Sequence, residues 1–300
     1  MDLSVNIAGV HFKNPILTAS GTFGSGREYS NFIELNKLGG IIVKGVSHDP
    51  WSGNPPPRIA ETYGGMLNSI GLQNPGAKAF IETDMPFLRE CGTRVIVNLC
   101  GRTLEEYIAV AQDFEGVQGV DLFELNISCP NLKKGGMSFG TDTAVVEEVV
   151  AAVKRCVNAP LVVKLSPNVS DIVAIAKAAE AGGADALSLI NTLLGMKIDI
   201  YNKKPVLANI VGGLSGPAIM PVAVRMVYQT AKKVNLPIIG MGGIMTGEDA
   251  IEFIMAGATA VAIGTANFTN PNAALDILEG IETFMESQHI STLNDIRGII

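Results

Sequence analysis

The segment that decides the fold is Val120-Asp121-Leu122-Phe123-Glu124-Leu125-Asn126-Ile127-Ser128-Cys129-Pro130-Asn131. Its first half is an apolar run of strand length that ends on Asn126, which is typical of a buried strand in a parallel sheet. Pro130 has no N–H to continue a strand, and the basic, glycine-rich run Lys133-Lys134-Gly135-Gly136 after it indicates a loop. Cys129 is therefore expected at the hinge between a rigid strand and a closing loop.

Outward from this segment, apolar runs of strand length alternate with helical patterns along the chain. The predicted strands span residues 15–20, 40–44, 94–98, 120–127, 161–164, 185–191, 237–240 and 259–263. The predicted helices span residues 28–37, 77–90, 103–115, 142–157, 171–181, 217–233, 247–256 and 272–286. Eight strands that are each followed by a helix favour a closed (β/α)8 TIM barrel over an open sheet.

Three further segments stand outside this repeat. The first, Leu3 to Val10, is expected to form a hairpin beneath the barrel. The second, Gly45 to Gly76, is too long for an ordinary connection and is rich in proline and glycine, so a functional loop is predicted there. The third, Thr192 to Ser215, has the β-branched residues and turn signals of a hairpin at the C-terminal face.

Composition limits the classes of protein that the chain can belong to. The 300 residues, 47% of them hydrophobic, suffice for one large core, so a single domain over residues 1–300 is expected. A formal charge of -7 without a dense basic run argues against nucleic-acid binding. Every apolar run is interrupted before it reaches membrane-spanning length, so a soluble, cytoplasmic small-molecule enzyme is predicted. The four cysteines form no C-x-x-C pair, so no metal site is expected on this chain.

Polar residues end five of the predicted strands. These residues are Lys44, Asn98, Asn126, Lys164 and Asn191. In a barrel the carboxyl ends of the strands meet on one face, where catalytic residues lie. Amides supply donors and acceptors and lysines supply positive charge, so the pattern predicts a site for a planar, polar, partly anionic ligand.

Glycines follow the seventh and eighth predicted strands. Gly240-Met241-Gly242-Gly243 comes after one strand and Gly264-Thr265 after the other. Bare backbone N–H groups in these two loops bind phosphate in many barrels, so a phosphorylated cofactor or substrate is expected. A nicotinamide dinucleotide is disfavoured because no G-x-G-x-x-G motif opens a helix after an early strand.

Four motifs together resemble one family, the FMN-containing dihydroorotate dehydrogenases, over nearly the whole chain. The motifs are Asn68-Ser69-Ile70-Gly71-Leu72-Gln73-Asn74-Pro75-Gly76, Asn126-Ile127-Ser128-Cys129-Pro130-Asn131, Asn191-Thr192-Leu193-Leu194-Gly195-Met196 and Gly212-Gly213-Leu214-Ser215-Gly216-Pro217. The cysteine at the hinge resembles the class 1 enzymes. The runs Lys133 to Gly136 and Asp49 to Arg58 look most like class 1B, the NAD-linked catalytic subunit.

The resemblance implies a reaction and an assembly. (S)-Dihydroorotate would be oxidised to orotate in UMP biosynthesis, with the C5 proton going to Cys129 and the C6 hydride to FMN, one per chain. Class 1B enzymes pass electrons to NAD through a separate electron-transfer subunit that carries FAD and a 2Fe–2S cluster. A homodimer core of a heterotetramer is then expected. The remaining cysteines, Cys91, Cys100 and Cys156, are interpreted as small packing residues.

The resemblance also implies residue roles. Cys129 is the expected base and Lys44 the second catalytic residue, in contact with both substrate and flavin. The residues expected to bind the substrate are Lys44, Asn68, Ser69, Ile70, Gly71, Leu72, Asn126, Asn191 and Thr192. The residues expected to bind FMN are Ser20, Lys44, Gly45, Asn98, Asn126, Lys164, Ile190, Gly216, Gly242, Gly243, Gly264 and Thr265. Lys164 is expected beside the flavin pyrimidine, where its charge supports the reduced ring.

Three alternatives remain open. A class 1A enzyme would use fumarate instead of NAD. Another FMN barrel, such as a dihydropyrimidine or dihydrouridine reductase, would share the phosphate glycines and the hinge cysteine but not the amide cluster around Lys44. A barrel that only binds a phosphorylated metabolite would carry out no chemistry at all.

Overall fold

The computed structural model describes residues 1–128 and 139–300. Its strands are β1 (Val5–Ile7), β2 (Val10–Phe12), β3 (Ile16–Thr18), β4 (Gly40–Ile42), β5 (Ile59–Thr62), β6 (Gly65–Asn68), β7 (Arg94–Leu99), β8 (Leu122–Asn126), β9 (Leu161–Lys164), β10 (Ala186–Leu189), β11 (Leu193–Met196), β12 (Ile198–Asp199), β13 (Lys204–Pro205), β14 (Val211–Ser215), β15 (Ile238–Met241) and β16 (Ala260–Ile263). Its helices are α1 (Ala77–Glu90), α2 (Leu104–Asp113), α3 (Thr143–Lys154), α4 (Ile172–Ala181), α5 (Met220–Ala231), α6 (Gly247–Met255), α7 (Ala266–Thr269) and α8 (Ala273–Ser287).

The predicted (β/α)8 TIM barrel is confirmed. Its strands β3, β4, β7, β8, β9, β10, β15 and β16 are parallel, and β16 pairs with β3 to close the ring. These strands are buried on both faces, inside by one another and outside by the helices, so their apolar runs are nearly continuous. Among the described residues, no helix is both long and apolar enough to cross a lipid bilayer.

The helix predicted over residues 28–37 is wrong. Two separate 3-10 turns, Tyr29–Asn31 and Leu35–Lys37, connect β3 to β4, with Glu34 between them in an extended conformation. Ile33 and Leu35 are both buried in the core although they are only two positions apart. The extended backbone of Glu34 (ψ 102°) interrupts the helical hydrogen-bond pattern between the two turns, so a continuous helix is excluded.

The segment Gly45 to Gly76, which was predicted as a loop, contains two strands. Within it β5 and β6 form an antiparallel hairpin, and β6 pairs with β14. The predicted hairpin between Thr192 and Ser215 is confirmed as β11 and β14. The four strands form one small sheet in the order β11, β14, β6, β5, with Ala60, Leu67 and Leu207 clustered on one face.

The N-terminal hairpin is also confirmed, as β1 and β2. Phe12 at its end is fully buried, and its ring lies 3.1 Å from where a Cβ on Gly40 would stand. Arg94 Nε donates a hydrogen bond of 2.9 Å to the carbonyl oxygen of His11. Gly40 and Arg94 begin β4 and β7, so the hairpin closes the amino-terminal end of the barrel and leaves the opposite end open.

Candidate active site

A cavity of about 810 Å³ lies between the carboxyl ends of the barrel strands and the small sheet. Its wall contains all described residues that were predicted for the site: Ser20, Lys44, Gly45, Asn68, Ser69, Ile70, Gly71, Leu72, Asn98, Asn126, Lys164, Ile190, Asn191, Thr192, Gly216, Gly242, Gly243, Gly264 and Thr265. Cys129 falls outside the described residues. Sites that take small molecules and cofactors usually have volumes of roughly 300–1,000 Å³, so the size suits such a ligand.

The charge inside this cavity has one sign. Of the described residues that line it, the charged ones are Lys44, Arg102 and Lys164, and all three are cations. The whole chain, in contrast, carries a formal charge of -7. A cationic pocket in an acidic protein attracts anions selectively, which suits a ligand with a carboxylate or a phosphate.

The floor is built from strand ends. Lys164 ends β9 directly opposite Asn126 at the end of β8, so both side chains point into the barrel. Lys164 is only 5% exposed, and its Nζ donates a hydrogen bond of 3.2 Å to Ser20 Oγ. An ammonium group this deeply buried needs further acceptors, because water no longer solvates it.

Asn98 also lies in the floor, and it carries an acceptor that no described residue uses. Its Nδ2 donates a hydrogen bond of 2.5 Å to Glu124 Oε1, while its Oδ1 is buried and has no hydrogen-bond partner among residues 1–128 and 139–300. Asn98 lines the cavity. An unpaired buried carbonyl oxygen in a cavity wall is suited to a ligand that brings a donor.

Hydrogen bonds fix the segment that leads toward Cys129, the residue predicted at the hinge. Tyr107 donates its hydroxyl to the carbonyl oxygen of Asn126 at 2.6 Å. Asn191 Nδ2 donates to Ser128 Oγ at 2.8 Å. The end of β8 and the end of β10 are thereby tied together just before the position of Cys129, and Ser128 enters the cavity wall.

The roof is one face of the small sheet. Leu194, Gly213, Asn68 and Ile59 stand side by side on four neighbouring strands, and all four line the cavity. Side chains directly opposite one another in antiparallel strands share a face, so the register alone directs Asn68 toward the barrel. Asn68 is flanked on this row by Gly213, which has no side chain, and by Ile59, so its amide is the polar group of the row.

The glycine loops form the remaining wall. Gly242 and Gly243 have φ of 128° and 87°, a region that disfavours side chains, and a Cβ on Gly243 would lie 2.8 Å from the carbonyl oxygen of Gly216. Thr265 Oγ1 donates a hydrogen bond of 2.8 Å to Ser215 Oγ. Bare backbone beside hydroxyl groups is the chemistry of a phosphate site. Together with the unpaired Asn98 oxygen and the buried Lys164, it fits FMN.

Comparison with known proteins agrees with this geometry. The family model described as "Dihydroorotate dehydrogenase" matches residues 2–285. The chain belongs to the dihydroorotate dehydrogenase family. The resemblance of the motifs to that family is thus confirmed, and this family member is an oxidoreductase.

Individual relatives indicate which class of dihydroorotate dehydrogenase the chain resembles. A protein from Alkaliphilus metalliredigens is 65% identical over 298 residues, which cover 99% of this chain and 98% of the relative. A protein from Lachnoclostridium phytofermentans is 61% identical over 300 residues and covers 100% of both chains. Both relatives are named "Dihydroorotate dehydrogenase B (NAD(+)), catalytic subunit". The predicted resemblance to class 1B is confirmed.

Two parts of the cavity of this dihydroorotate dehydrogenase family member were not predicted. The guanidinium of Arg102 stacks 4.0 Å over the Trp51 ring, and both residues line the cavity. Asn168 Nδ2 donates to the carbonyl oxygen of Thr192 at 3.0 Å, and Asn168 Oδ1 accepts from Leu194 N at 2.9 Å. Arg102 and Asn168 each follow a barrel strand by a few residues, which is the signal that would have identified them.

Proposed function

We propose that this chain is the catalytic subunit of an NAD-linked dihydroorotate dehydrogenase that oxidises (S)-dihydroorotate to orotate in UMP synthesis. The observation that carries this proposal is a cavity in which the charged side chains are cations and the strand ends supply amides. Orotate is a planar ring with a carboxylate and ring amide groups. Amides match the ring groups because they both donate and accept, and the cations match the carboxylate.

The proposed cofactor is one FMN within a single barrel domain over residues 1–300. Gly242, Gly243, Gly264 and Thr265 would hold its phosphate, and Lys164 would lie beside its pyrimidine ring. Ser20, Lys44, Gly45, Asn98, Asn126, Ile190 and Gly216 complete the predicted set of flavin contacts. When bound, FMN supplies the acceptor for a hydride from C6 of the substrate. Lys164 would favour the charge of the reduced ring because a buried ammonium is poorly screened.

The substrate is proposed to bind between floor and roof. Asn68 from the roof and Asn126 and Asn191 from the floor converge on the cavity with Lys44. Asn168 supports this arrangement because its amide holds the backbone on both sides of Leu193. The proposed contacts continue through Thr192 and through Ser69, Ile70, Gly71 and Leu72 on the wall.

Cys129 remains the proposed base, although it lies outside the described residues. Its neighbour Ser128 is held by Asn191 in the cavity wall. A free thiol has a pKa of about 8.5, and a cationic cavity favours the thiolate that removes the C5 proton. The other cysteines suit the packing role: Cys91 and Cys156 donate their thiols to helix carbonyl oxygens, and Cys100 is fully buried.

The proposed assembly is a homodimer core with two electron-transfer subunits that carry FAD and a 2Fe–2S cluster. The relatives are named catalytic subunits, which implies a partner. A homodimer is supported by exposed apolar side chains beyond the small sheet, among them Tyr63, Ile198, Ile200 and Tyr201. Lys197 Nζ donates to the carbonyl oxygen of Glu61 at 2.6 Å, which brings the segment after β11 against the end of β5. The cytoplasmic location stays a prediction.

The decisive experiment is anaerobic addition of substrate to the purified yellow protein. Dihydroorotate is expected to bleach the flavin, whereas dihydrouracil and dihydrouridine, which lack the carboxylate, are not. Bleaching by the latter compounds would favour a dihydropyrimidine or dihydrouridine reductase. A colourless protein that cannot be reconstituted with FMN would favour the alternative of a barrel that only binds a phosphorylated metabolite.

The acceptor is tested separately. The reduced chain is mixed with fumarate or NAD, each with and without the electron-transfer subunit. Reoxidation by NAD only when the partner is present is expected, because no dinucleotide motif occurs in the sequence. Rapid reoxidation by fumarate alone would instead identify a class 1A enzyme.

A further inference from the structure

A carboxyl group lies inside the barrel directly beneath the cavity. Glu124 in the middle of β8 is fully buried, and it pairs in register with Asn98 on the neighbouring strand β7. Asn98 Nδ2 donates a hydrogen bond of 2.5 Å to Glu124 Oε1, and Ser188 Oγ donates one of 2.8 Å to Glu124 Oε2. Both oxygens of the carboxylate are therefore held, and the proposed mechanism uses neither of them.

This bond determines which way the Asn98 amide faces. A carboxylate only accepts hydrogen bonds, so the amide nitrogen must lie on the Glu124 side and the amide oxygen on the other. Asn98 is 1% exposed, and its Oδ1 has no partner in the described part of the chain. A Cβ at Gly45 would stand 2.8 Å from that oxygen, which is too close for a carbon atom, so any side chain at Gly45 would crowd the oxygen.

We propose that Glu124 is a positioning residue that locks the Asn98 amide with its oxygen toward the cavity. The site then presents an acceptor, and not a donor, to a ring N–H of the bound ligand. An imide N–H of this kind occurs in the flavin ring system and in orotate. The inference rests on the proposed function, because it assumes that one of these two rings occupies the cavity.

Without Glu124 the amide of Asn98 would be free to turn over. Its nitrogen would then face the cavity for part of the time and oppose the N–H of the ring, donor against donor. A buried group left without its partner costs more than a hydrogen bond contributes. The ring that faces Asn98 is therefore expected to bind roughly tenfold more weakly when the lock is removed.

The test compares Glu124→Met, which keeps the length of the side chain but accepts no hydrogen bond, with Glu124→Gln. The Gln amide oxygen can still accept from Asn98 Nδ2. Ser188→Ala is the matched control, because it removes the other donor to Glu124 and leaves the Asn98 bond in place. Each protein is reconstituted with ¹⁵N-labelled FMN, and separately loaded with ¹⁵N-labelled orotate. The imide proton resonance and the dissociation constant of each ligand are measured.

One imide proton is expected downfield and protected from exchange in the unchanged protein. In Glu124→Met it should move upfield and exchange faster, with the affinity of that ligand alone reduced. Glu124→Gln and Ser188→Ala should keep the resonance. The shifted resonance identifies the ring, since the FMN and orotate samples are labelled separately. A resonance that is the same in Glu124→Met and the unchanged protein would overturn the inference.

A second variant exchanges the carboxylate and the amide between positions 124 and 98. It tests the inference even if Glu124→Met does not fold. Asn98→Asp combined with Glu124→Gln places the carboxylate on β7, held by the Gln amide, with its second oxygen toward the cavity. The downfield imide proton is expected to persist there, and its loss would count against the lock. An unchanged protein that binds FMN and is bleached by dihydroorotate, yet shows no protected imide proton, would refute this inference and leave the proposed function intact. Failure to bind FMN at all would refute both.

Discussion

Lys164 is either a cofactor ligand or a lysine that merely ends a strand, and the structure separates these two interpretations clearly. A lysine at a strand end often extends its ammonium into water, and its removal is then harmless. Here the side chain is only 5% exposed and ends on Ser20 Oγ inside the cavity. Its position was predictable, because the apolar run Leu161-Val162-Val163 directs the next residue to the end of a barrel strand.

Replacing Lys164 with alanine is expected to weaken FMN binding roughly 10- to 100-fold, as for a hydrogen bond to a charged group. The midpoint potential of the remaining bound flavin should fall, because the positive charge beside the reduced ring is lost. Fluorescence titration of the apoprotein and a spectroelectrochemical titration measure the two effects. Lys177→Ala on the exposed side of α4 is the control. Equal affinities in both variants would show that Lys164 has no contact with the flavin.

Cys129 is tested through a single step of the reaction. Cys129→Ala should keep the yellow flavin, since the phosphate and ring contacts lie elsewhere, but should slow reduction by dihydroorotate by roughly 10²- to 10⁴-fold. Stopped-flow absorbance measures the rate at several pH values. Cys156→Ala, which removes a thiol that donates to the carbonyl oxygen of Ala152, is the matched control. Near-normal reduction in Cys129→Ala would assign the base to another group.

At the scale of elements, the small sheet packs tightly over the cavity, with almost no space between Gly213 of β14 and Thr192. A Cβ on Gly213 would lie 2.1 Å from Thr192 Oγ1 and 2.7 Å from Thr192 Cβ. Gly213→Ala should therefore push Thr192 and the roof apart and weaken orotate binding about tenfold, as expected for overpacking of a tight contact. FMN binding should change little, because the phosphate loops follow β15 and β16. Orotate and FMN titrations of the same variant separate the effects, and a parallel loss of both ligands would contradict the expectation.

A second contact between elements predicts a pH dependence of stability. His48, in the segment after β4, lies 2.7 Å from the carboxylate of Asp113 at the end of α2. That hydrogen bond, partly opposed by desolvation, raises the pKa of His48 above its ordinary value of 6.5. Because the folded pKa is the higher one, the stabilisation is complete below about pH 6.5 and is lost as pH rises through the folded pKa.

His48→Gln should therefore lower the free energy of unfolding near pH 6 by less than about 1 kcal/mol, because the pair is largely exposed. Near pH 9 the free energy of unfolding should be unchanged. Urea unfolding at the two pH values measures the difference. Asp113→Asn should reproduce the pattern, since it removes the same pair. A loss in His48→Gln that is equal at both pH values would mean that packing, and not charge, connects the segment to α2.

Some elements of the fold could be predicted from the sequence and others could not. The barrel strands were predictable because each is an apolar run buried on both faces, and the polar residue after each run marked the cavity. The β5 and β6 hairpin was not, since each strand has only four residues, β6 begins with Gly65, and its partner β14 is remote in sequence. The side-chain pairing of Asn98 with Glu124 likewise depends on the register between strands, which no single run reveals.

At the scale of the whole molecule, apolar surface is concentrated at one end. Beyond the small sheet, Tyr63 is fully exposed, and Ile198, Ile200 and Tyr201 are 56%, 71% and 90% exposed. Large apolar side chains clustered on one surface usually mark an interface. This end of the barrel is also the end that holds the cavity, because the small sheet forms the roof. Assembly is therefore expected to order the roof as well as to cover the surface.

The double variant Ile200→Asp and Tyr201→Asp should convert the proposed homodimer to a monomer, because two buried carboxylates without partners oppose an apolar interface. Sedimentation velocity measures the mass, which is 31.5 kDa for one chain. Tyr228→Asp, on the exposed side of α5, is the control for charge alone. The monomer should retain FMN, since the phosphate loops lie within one chain, but bind orotate more weakly because the roof is no longer supported. An unchanged sedimentation coefficient in the double variant would place the dimer interface elsewhere.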